Sequence, residues 1–443
     1  QTSDVPAALQ RDATDGVQSV HVQVNHPAEI DALFDGAIVY AKGARMLVMA
    51  RALIGDKALR EGLKNYFAAH KYNNATGSDL WSALGQAAGI DLGTIMDSWL
   101  QQPGYPLVSA SVVNGRLLIS QQQFFIGSGK EAGRQWQIPL NSNYQKLPKI
   151  FKDKESDLGD YQQLRQEAGQ PLILNQGNDS HFIVKYDQEL LKDILEHSDS
   201  LDAITQRQLL QDQRLLAEAR SISYADLIPL LETFKDSKSN LVNDALYRIA
   251  NTLKGFVEVG SDQENDLKTF FRQISKQQLA RLGWLAKKDE DNDDQLTRPY
   301  ILRAALYGED RDAISQAHDL FTAHQDDLES LPADIRTFVL QNEVKNFGDQ
   351  KLFDKLLANY QNSSDASYKN SLKNALVSTT DSKLISQLID KFENSEVIKP
   401  QDLRGWFQGL LANDKGQQAA WDWIRKDWDW LEKTVGGDME FAT

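Results

Sequence analysis

The apolar residues of this chain change period twice, and those two changes most constrain its fold. Up to Pro103-Gly104 they recur at helical spacing, and from Tyr105 to Tyr186 they fall in short β-prone runs. From Asp187 helical spacing returns and continues to the C-terminus. A helix repeats its face about every 3.6 residues and a strand every second residue, so neither pattern can serve the other element. The chain therefore reads as multidomain and mainly α, with a β segment between two helical ones. The expected boundaries are 1–103, 104–187 and 188–443.

In the first segment, Val39, Met46, Met49, Ala50 and Leu53 place a helix over Gly36 to Ile54, with Gly55 as its stop. Asp56 can open a second helix to about His70. Thr76-Gly77-Ser78-Asp79 offers small polar caps for a third, and Asp91 for a fourth through Trp99. Pro103-Gly104 ends the run.

The β segment opens with Leu107 to Val113 and Arg116 to Ser120 around Asn114-Gly115, a strong hairpin signal. Further strands are expected at Phe124–Ile126, Trp136–Leu140, Leu172–Asn175 and Phe182–Tyr186, with a loop over Lys152–Gly159. Such short strands predict a small β-sandwich. Beyond Asp187 the helices should break at the polar clusters Asp236–Asn240, Asp289–Asp294, Asn362–Ser367 and Thr379–Ser382. Many such helices joined by short loops suggest a large HEAT/ARM-like superhelical domain rather than a closed bundle. Trp421, Trp423, Trp428 and Trp430 read as a hydrophobic terminal helix docking on its neighbour.

Composition removes several function classes. At 443 residues the chain is long enough for roughly three domains of about 150 residues each. It has no cysteine, which excludes disulfide scaffolds, thiol catalysis and cysteine-ligated zinc. That absence suits a reducing compartment, and the expected location is cytoplasmic. The net charge of −15 makes nucleic acid a poor partner, since affinity for it rests on Lys and Arg neutralising phosphates. No apolar run approaches the ~20 residues of a membrane span, so no membrane partner is expected. The chain opens on Gln1-Thr2-Ser3-Asp4, with neither an initiator Met nor a signal peptide.

Among the seven histidines no H-E-x-x-H pair occurs, so no helix face presents two zinc ligands with a Glu between them. His21 and His26, at odd spacing in an extended segment, point to opposite faces. His318 and His324 fit a helix face poorly. Phosphate-cradling glycine motifs and G-x-S-x-G are missing too, and Gly127-Ser128-Gly129 reads as a flexible turn. The residues alone give no complete active site.

One stretch carries more. Phe34-Asp35-Gly36-Ala37-Ile38-Val39-Tyr40-Ala41-Lys42-Gly43-Ala44-Arg45 resembles the zinc aminopeptidase N family of gluzincin metallopeptidases, where a Tyr-x-Lys-Gly-Ala block opens a helix. Asn25-His26-Pro27 precedes it in family order. Leu63-x-x-Tyr66, His70-x-Tyr72-x-Asn74-Ala75, Asp79-Leu80-Trp81 and Met96-x-x-Trp99-x-x-Gln102-x-Gly104-Tyr105-Pro106 follow. Asn175-Gln176-Gly177 to Tyr186-Asp187 and Arg207-Gln208-Leu209-Leu210-Gln211-Asp212 extend the likeness. The wording is nearest to the family's lactic-acid-bacterium type.

The resemblance implies that residues 1–103 are the helical end of a thermolysin-like catalytic domain. It implies a C-terminal portion of a metallo-aminopeptidase that hydrolyses N-terminal residues from peptides. The family's zinc motif, its third ligand Glu and its Gly-x-Met-Glu-Asn strand lie upstream of the His-Pro segment. Zinc would then belong to the intact parent enzyme, with no ligands in this chain and no activity in the chain alone. The implied partners are peptide substrates and the missing N-terminal part of the same protein.

The resemblance also implies a role for Tyr40: its hydroxyl donates a hydrogen bond to the oxyanion of the tetrahedral intermediate. A phenol suits that role because it stays protonated at neutral pH. Without the resemblance Tyr40 reads as a packing tyrosine. Lys42 reads as a structural or surface contact, Gly43 and Ala44 as small residues for close helix approach, and Asp35 as a helix cap. The alternative function is a non-catalytic helical-repeat interaction scaffold over residues 187–443.

Overall fold

The computed structural model describes residues 3–436. The chain divides into two compact units, Gln1–Ile249 and Ala250–Thr443. Both are mainly helical, and the sheet lies in the first.

The first unit begins with α1 (Asp4–Asp12) and the short α2 (Ile30–Leu33). A π-helical turn, Ala37–Lys42, then runs directly into α3 (Gly43–Ala69). Gly55 interrupts α3 at φ 79°, ψ 161°, the stop its position in the sequence suggested. Next come α4 (Gly77–Ala88) and α5 (Leu92–Leu100). Thr76 and Asp79 form a reciprocal capping box on α4, and the Asp91 carboxylate accepts the Thr94 N–H at 3.1 Å on α5. The close approach of α3 to α4 depends on Gly62, where a Cβ would come within 2.7 Å of Leu84 Cα.

The hairpin is present as β1 (Pro106–Val113) and β2 (Arg116–Gln123), with Val113 opposite Arg116. Asn114 and Gly115 both have positive φ, 51° and 77°, which a type I′ turn requires. Then come β3 (Ile138–Pro139), β4 (Ile150–Phe151), β5 (Glu155–Asp160) and β6 (Ile183–Tyr186). One sheet has the order β5-β2-β1-β6, with β6 parallel to β1, and β3 pairs with β4 separately. Val108, Ala110, Leu117 and Ile119 share one buried face of the larger sheet, and Leu107, on its other face, is buried as well.

Three expectations fail here. The polar stretch read as a loop contains strand β5, paired to β2 along one edge, and runs into an unforeseen helix α6 (Tyr161–Ala168) capped by Asp160. Residues 172–175 are buried yet form no strand. Their backbone N–H groups are satisfied from elsewhere: Asn143 Oδ1 accepts from Ile173 and the Tyr186 hydroxyl from Leu174, both at 2.8 Å. Residues 124–126 likewise join no ladder.

The unit continues through α7 (Gln188–Glu196), α8 (Ala203–Glu218), α9 (Ile228–Phe234) and α10 (Asn240–Leu253), within which the division falls.

The second unit contains α11 (Asp262–Leu282), α12 (Asn292–Tyr307), α13 (Arg311–Ala323), α14 (Ala333–Phe347) and α15 (Gln350–Asn362). These are followed by α16 (Ala366–Leu376), α17 (Ser382–Ile389), α18 (Pro400–Leu411), α19 (Gln417–Lys426) and α20 (Trp428–Val435). Helices near in sequence pack together, α11 on α12, α13 on α14 and α15 on α16. The polar clusters expected to break the pattern do so: helices end or begin at Asn240, Asn292, Asn362 and Ser382. Aspartates cap many of these starts, among them Asp310, Asp349 and Asp365. Part of the chain's negative charge thus has a local structural use. Of the terminal tryptophans, Trp423 packs edge-on against Phe392 and Trp430, while Trp421 and Trp428 stay about half exposed.

Candidate functional site

The turn that carries Tyr40 is built by its own residues. The Asp35 carbonyl accepts the Ile38 and Val39 N–H groups at 3.0 and 2.8 Å, and the Asp35 carboxylate accepts the Ala37 N–H at 3.0 Å. Asp35 therefore caps the turn, as the sequence suggested. Ile38, Ala41 and Lys42 point inward, whereas Tyr40 is 68% exposed. Its ring meets Phe34 edge-on at 5.6 Å. Short π-helical turns are rare and concentrate at functional sites. This one turns a phenol outward from a fixed base.

The base is a buried polar junction. Lys42 Nζ lies 2.8 Å from Asp12 Oδ2 and donates to the Gly104 carbonyl at 3.1 Å. Asp12 Oδ1 accepts the Gly104 N–H at 3.0 Å, and His181 Nε2 sits 3.0 Å from Asp12 Oδ2. Neither Lys42, Asp12 nor His181 exposes its side chain. Burial pushes the Asp12 carboxyl up, but the Lys42 charge and the His181 hydrogen bond outweigh it and hold it below its ordinary value. Burial pushes His181 down to about 4, against the pull of Asp12, so its imidazole is neutral at pH 7 and Nε2–H is the donor. One turn further on, Arg45 donates to the Asn178 and Ser180 carbonyls, each at 2.6 Å. Burial lowers its guanidinium to about 10, with Asp179 and Asp212 opposing.

Lys42 is thus a structural residue and lies in the core. Gly43 does not serve the close approach expected of it, since a Cβ there would meet only the Ile38 carbonyl, at 4.0 Å. Gly62 and Gly85 have that role instead. At Gly85 a Cβ would come within 2.8 Å of the Ile90 carbonyl. The residues missed in the sequence are Asp12 and His181, separated by 169 positions and joined only by the fold. Among the described residues no three His, Asp or Glu side chains form a group that could hold a metal ion. Those residues do not by themselves make a zinc site. Nor is any described helix long and apolar enough to cross a membrane.

A helical segment carrying the outward Tyr40, then a small sheet, then a long helical region is the arrangement the comparisons address. Residues 1–99 match the Peptidase family M1 domain, and residues 171–443 match the ERAP1-like C-terminal domain. Aminopeptidase N of Lactobacillus delbrueckii subsp. lactis is 58% identical over all 443 residues of this chain, which cover 52% of that protein. Aminopeptidase N of Lactobacillus helveticus is also 58% identical, with the same coverage. Aminopeptidase M1 of Arabidopsis thaliana is 30% identical over 95% of this chain and 50% of its own length. The chain belongs to the M1 aminopeptidase family, and it spans about half the length of these curated relatives.

Proposed function

We propose that this chain acts as the C-terminal part of a zinc metallo-aminopeptidase that removes N-terminal residues from peptides. The observation that carries this reading is the exposed Tyr40 on a rigidly based π-helical turn, inside the segment that matches the M1 domain. As water adds to the scissile carbonyl, negative charge grows on its oxygen. The Tyr40 O–H donates a hydrogen bond to that oxygen, and the bond strengthens as the charge builds. Zinc, when bound in the parent enzyme, supplies a Lewis acid. Its ligands are proposed to lie outside this chain.

In this reading residues 1–103 are the helical end of the catalytic domain. Residues 104–187 are a β-sandwich domain, and 188–443 form a HEAT/ARM-like helical domain. The exposed apolar side chains Leu47, Val48 and Phe67 of α3 support a covering partner, the N-terminal part of the same protein. The enzyme works in the cytoplasm on peptides. The interaction-scaffold reading is not favoured, because the matched relatives are peptidases along the whole chain. Turnover of an aminoacyl anilide tests the proposal. An enzyme carrying this sequence together with the N-terminal part should show zinc-dependent turnover, and the 443-residue chain alone should show none. Inactivity of the former, or zinc-dependent turnover by the latter after rigorous purification, would contradict it.

A further inference from the structure

Arg11 and Asp12, the last two residues of α1, each grip one end of the turn that presents Tyr40. Arg11 pairs with Asp35, whose carboxylate and carbonyl cap the start. Asp12 pairs with Lys42, the last residue of the turn. The two ion pairs differ in setting. Arg11 is about half exposed, whereas Lys42 and Asp12 are sealed from solvent.

The sealed pair is the informative one. Removing two charges from water is expensive, and an apolar pair of similar volume often gives equal or better stability. What the ionic pair adds is direction. Lys42 reaches Asp12 and the Gly104 carbonyl together, and Asp12 takes the Gly104 N–H with its other oxygen. These bonds close a loop through α1, the turn and the segment entering β1. A hydrophobic contact has no such orientation to enforce. At the junction with α3 the Gly43 N–H is aimed at both the Ile38 and Tyr40 carbonyls. The register of this turn is therefore not fixed by an ordinary α-helical ladder, and the clamp supplies what the ladder lacks.

We propose that Arg11 and Asp12 clamp the two ends of the π-helical turn, Asp12 through buried Lys42 and Arg11 through Asp35, and so position the Tyr40 hydroxyl. In this role all four are positioning residues, acting through Tyr40. The inference rests on the reading of Tyr40 as the oxyanion donor. A misplacement of ~1 Å in such a donor can lower turnover by about a hundredfold.

The test uses the active peptidase that carries this sequence. Asp12→Asn with Lys42→Met removes the buried pair without stranding a charge, and Asn keeps an acceptor for the Gly104 N–H. This double variant should lower kcat about 10- to 100-fold, with KM changed less than about twofold. Arg11→Ala, which disturbs no core, should lower kcat by about threefold or more with its melting temperature unchanged. Tyr40→Phe should lower kcat about 100- to 1,000-fold, and adding the double substitution to it should lower kcat little further. Wild-type kcat in folded Asp12→Asn/Lys42→Met, or in Arg11→Ala if the double variant does not fold, would overturn the clamp. A further full 10- to 100-fold loss on top of Tyr40→Phe would also overturn it. Wild-type kcat in Tyr40→Phe alone would instead overturn the oxyanion reading, and the clamp with it.

Discussion

Lys42 Nζ stands 2.8 Å from Asp12 Oδ2, and solvent reaches neither side chain. A pair of this kind fails asymmetrically. Lys42→Met leaves the Asp12 charge buried without its cation and should destabilise the chain by about 3–5 kcal/mol. Lys42→Met combined with Asp12→Asn removes both charges and should recover most of that loss. Denaturant unfolding of the 443-residue chain and both variants checks this. A double variant no more stable than the single one would contradict it.

His181 gives the first unit a pH dependence of known sign. Its folded value of about 4 lies below its ordinary 6.5, so the unfolded chain takes up the proton first. The stability contributed by the neutral buried ring is complete above about pH 6.5 and is lost as the pH falls toward 4, by about 3 kcal/mol at full extent. Asp12 is also lowered, so its contribution persists down to its ordinary 3.8 and is lost only below that. His181→Gln should be less stable than wild type at pH 7 but should lose less between pH 7 and pH 4.5. Melting temperatures across that range decide the matter. Parallel pH profiles for the two proteins would contradict it.

Asp187 ties the sheet to α7. One carboxylate oxygen accepts the Leu190 N–H at 2.9 Å as the helix cap, and the other accepts the Val112 N–H of β1 at 2.6 Å. Asp187→Ala removes the cap and strands a strand N–H, so the loss should be about 2 kcal/mol or more. Asp187→Asn keeps one acceptor and should lose less. Equal stability of wild type and Asp187→Ala, measured by thermal unfolding, would contradict this assignment.

What could be read in the sequence follows from how local each signal is. Helices were legible because their apolar period and their caps, such as Thr76 and Asp91, lie within a few residues. The β1–β2 hairpin was legible because Asn114-Gly115 alone supplies both positive φ angles. Strand β5 was not, because Glu155-Ser156-Asp157-Leu158-Gly159-Asp160 is a polar edge strand whose ladder partner is distant β2. Leu172 to Leu174 misled in the opposite sense, being buried and apolar but bonded to side chains of Asn143 and Tyr186. The same limit governs the candidate site. Tyr40 was singled out by a contiguous block, whereas Asp12 and His181 meet Lys42 only after folding, and neither has a local pattern to mark it.

The central claim is that Tyr40 serves chemistry rather than packing, and replacing its hydroxyl alone tests that claim most directly. Its ring is exposed and meets exposed Phe34 edge-on, so Tyr40→Phe should leave the melting temperature and metal content of the active peptidase nearly unchanged. Loss of one oxyanion donor should lower kcat about 100- to 1,000-fold, or ~3–4 kcal/mol of transition-state stabilisation. KM should move little, because the lost bond strengthens only as charge develops. The measurement is kcat and melting temperature on the same preparation. The account predicts a large fall in kcat at constant stability; wild-type turnover in Tyr40→Phe would contradict it.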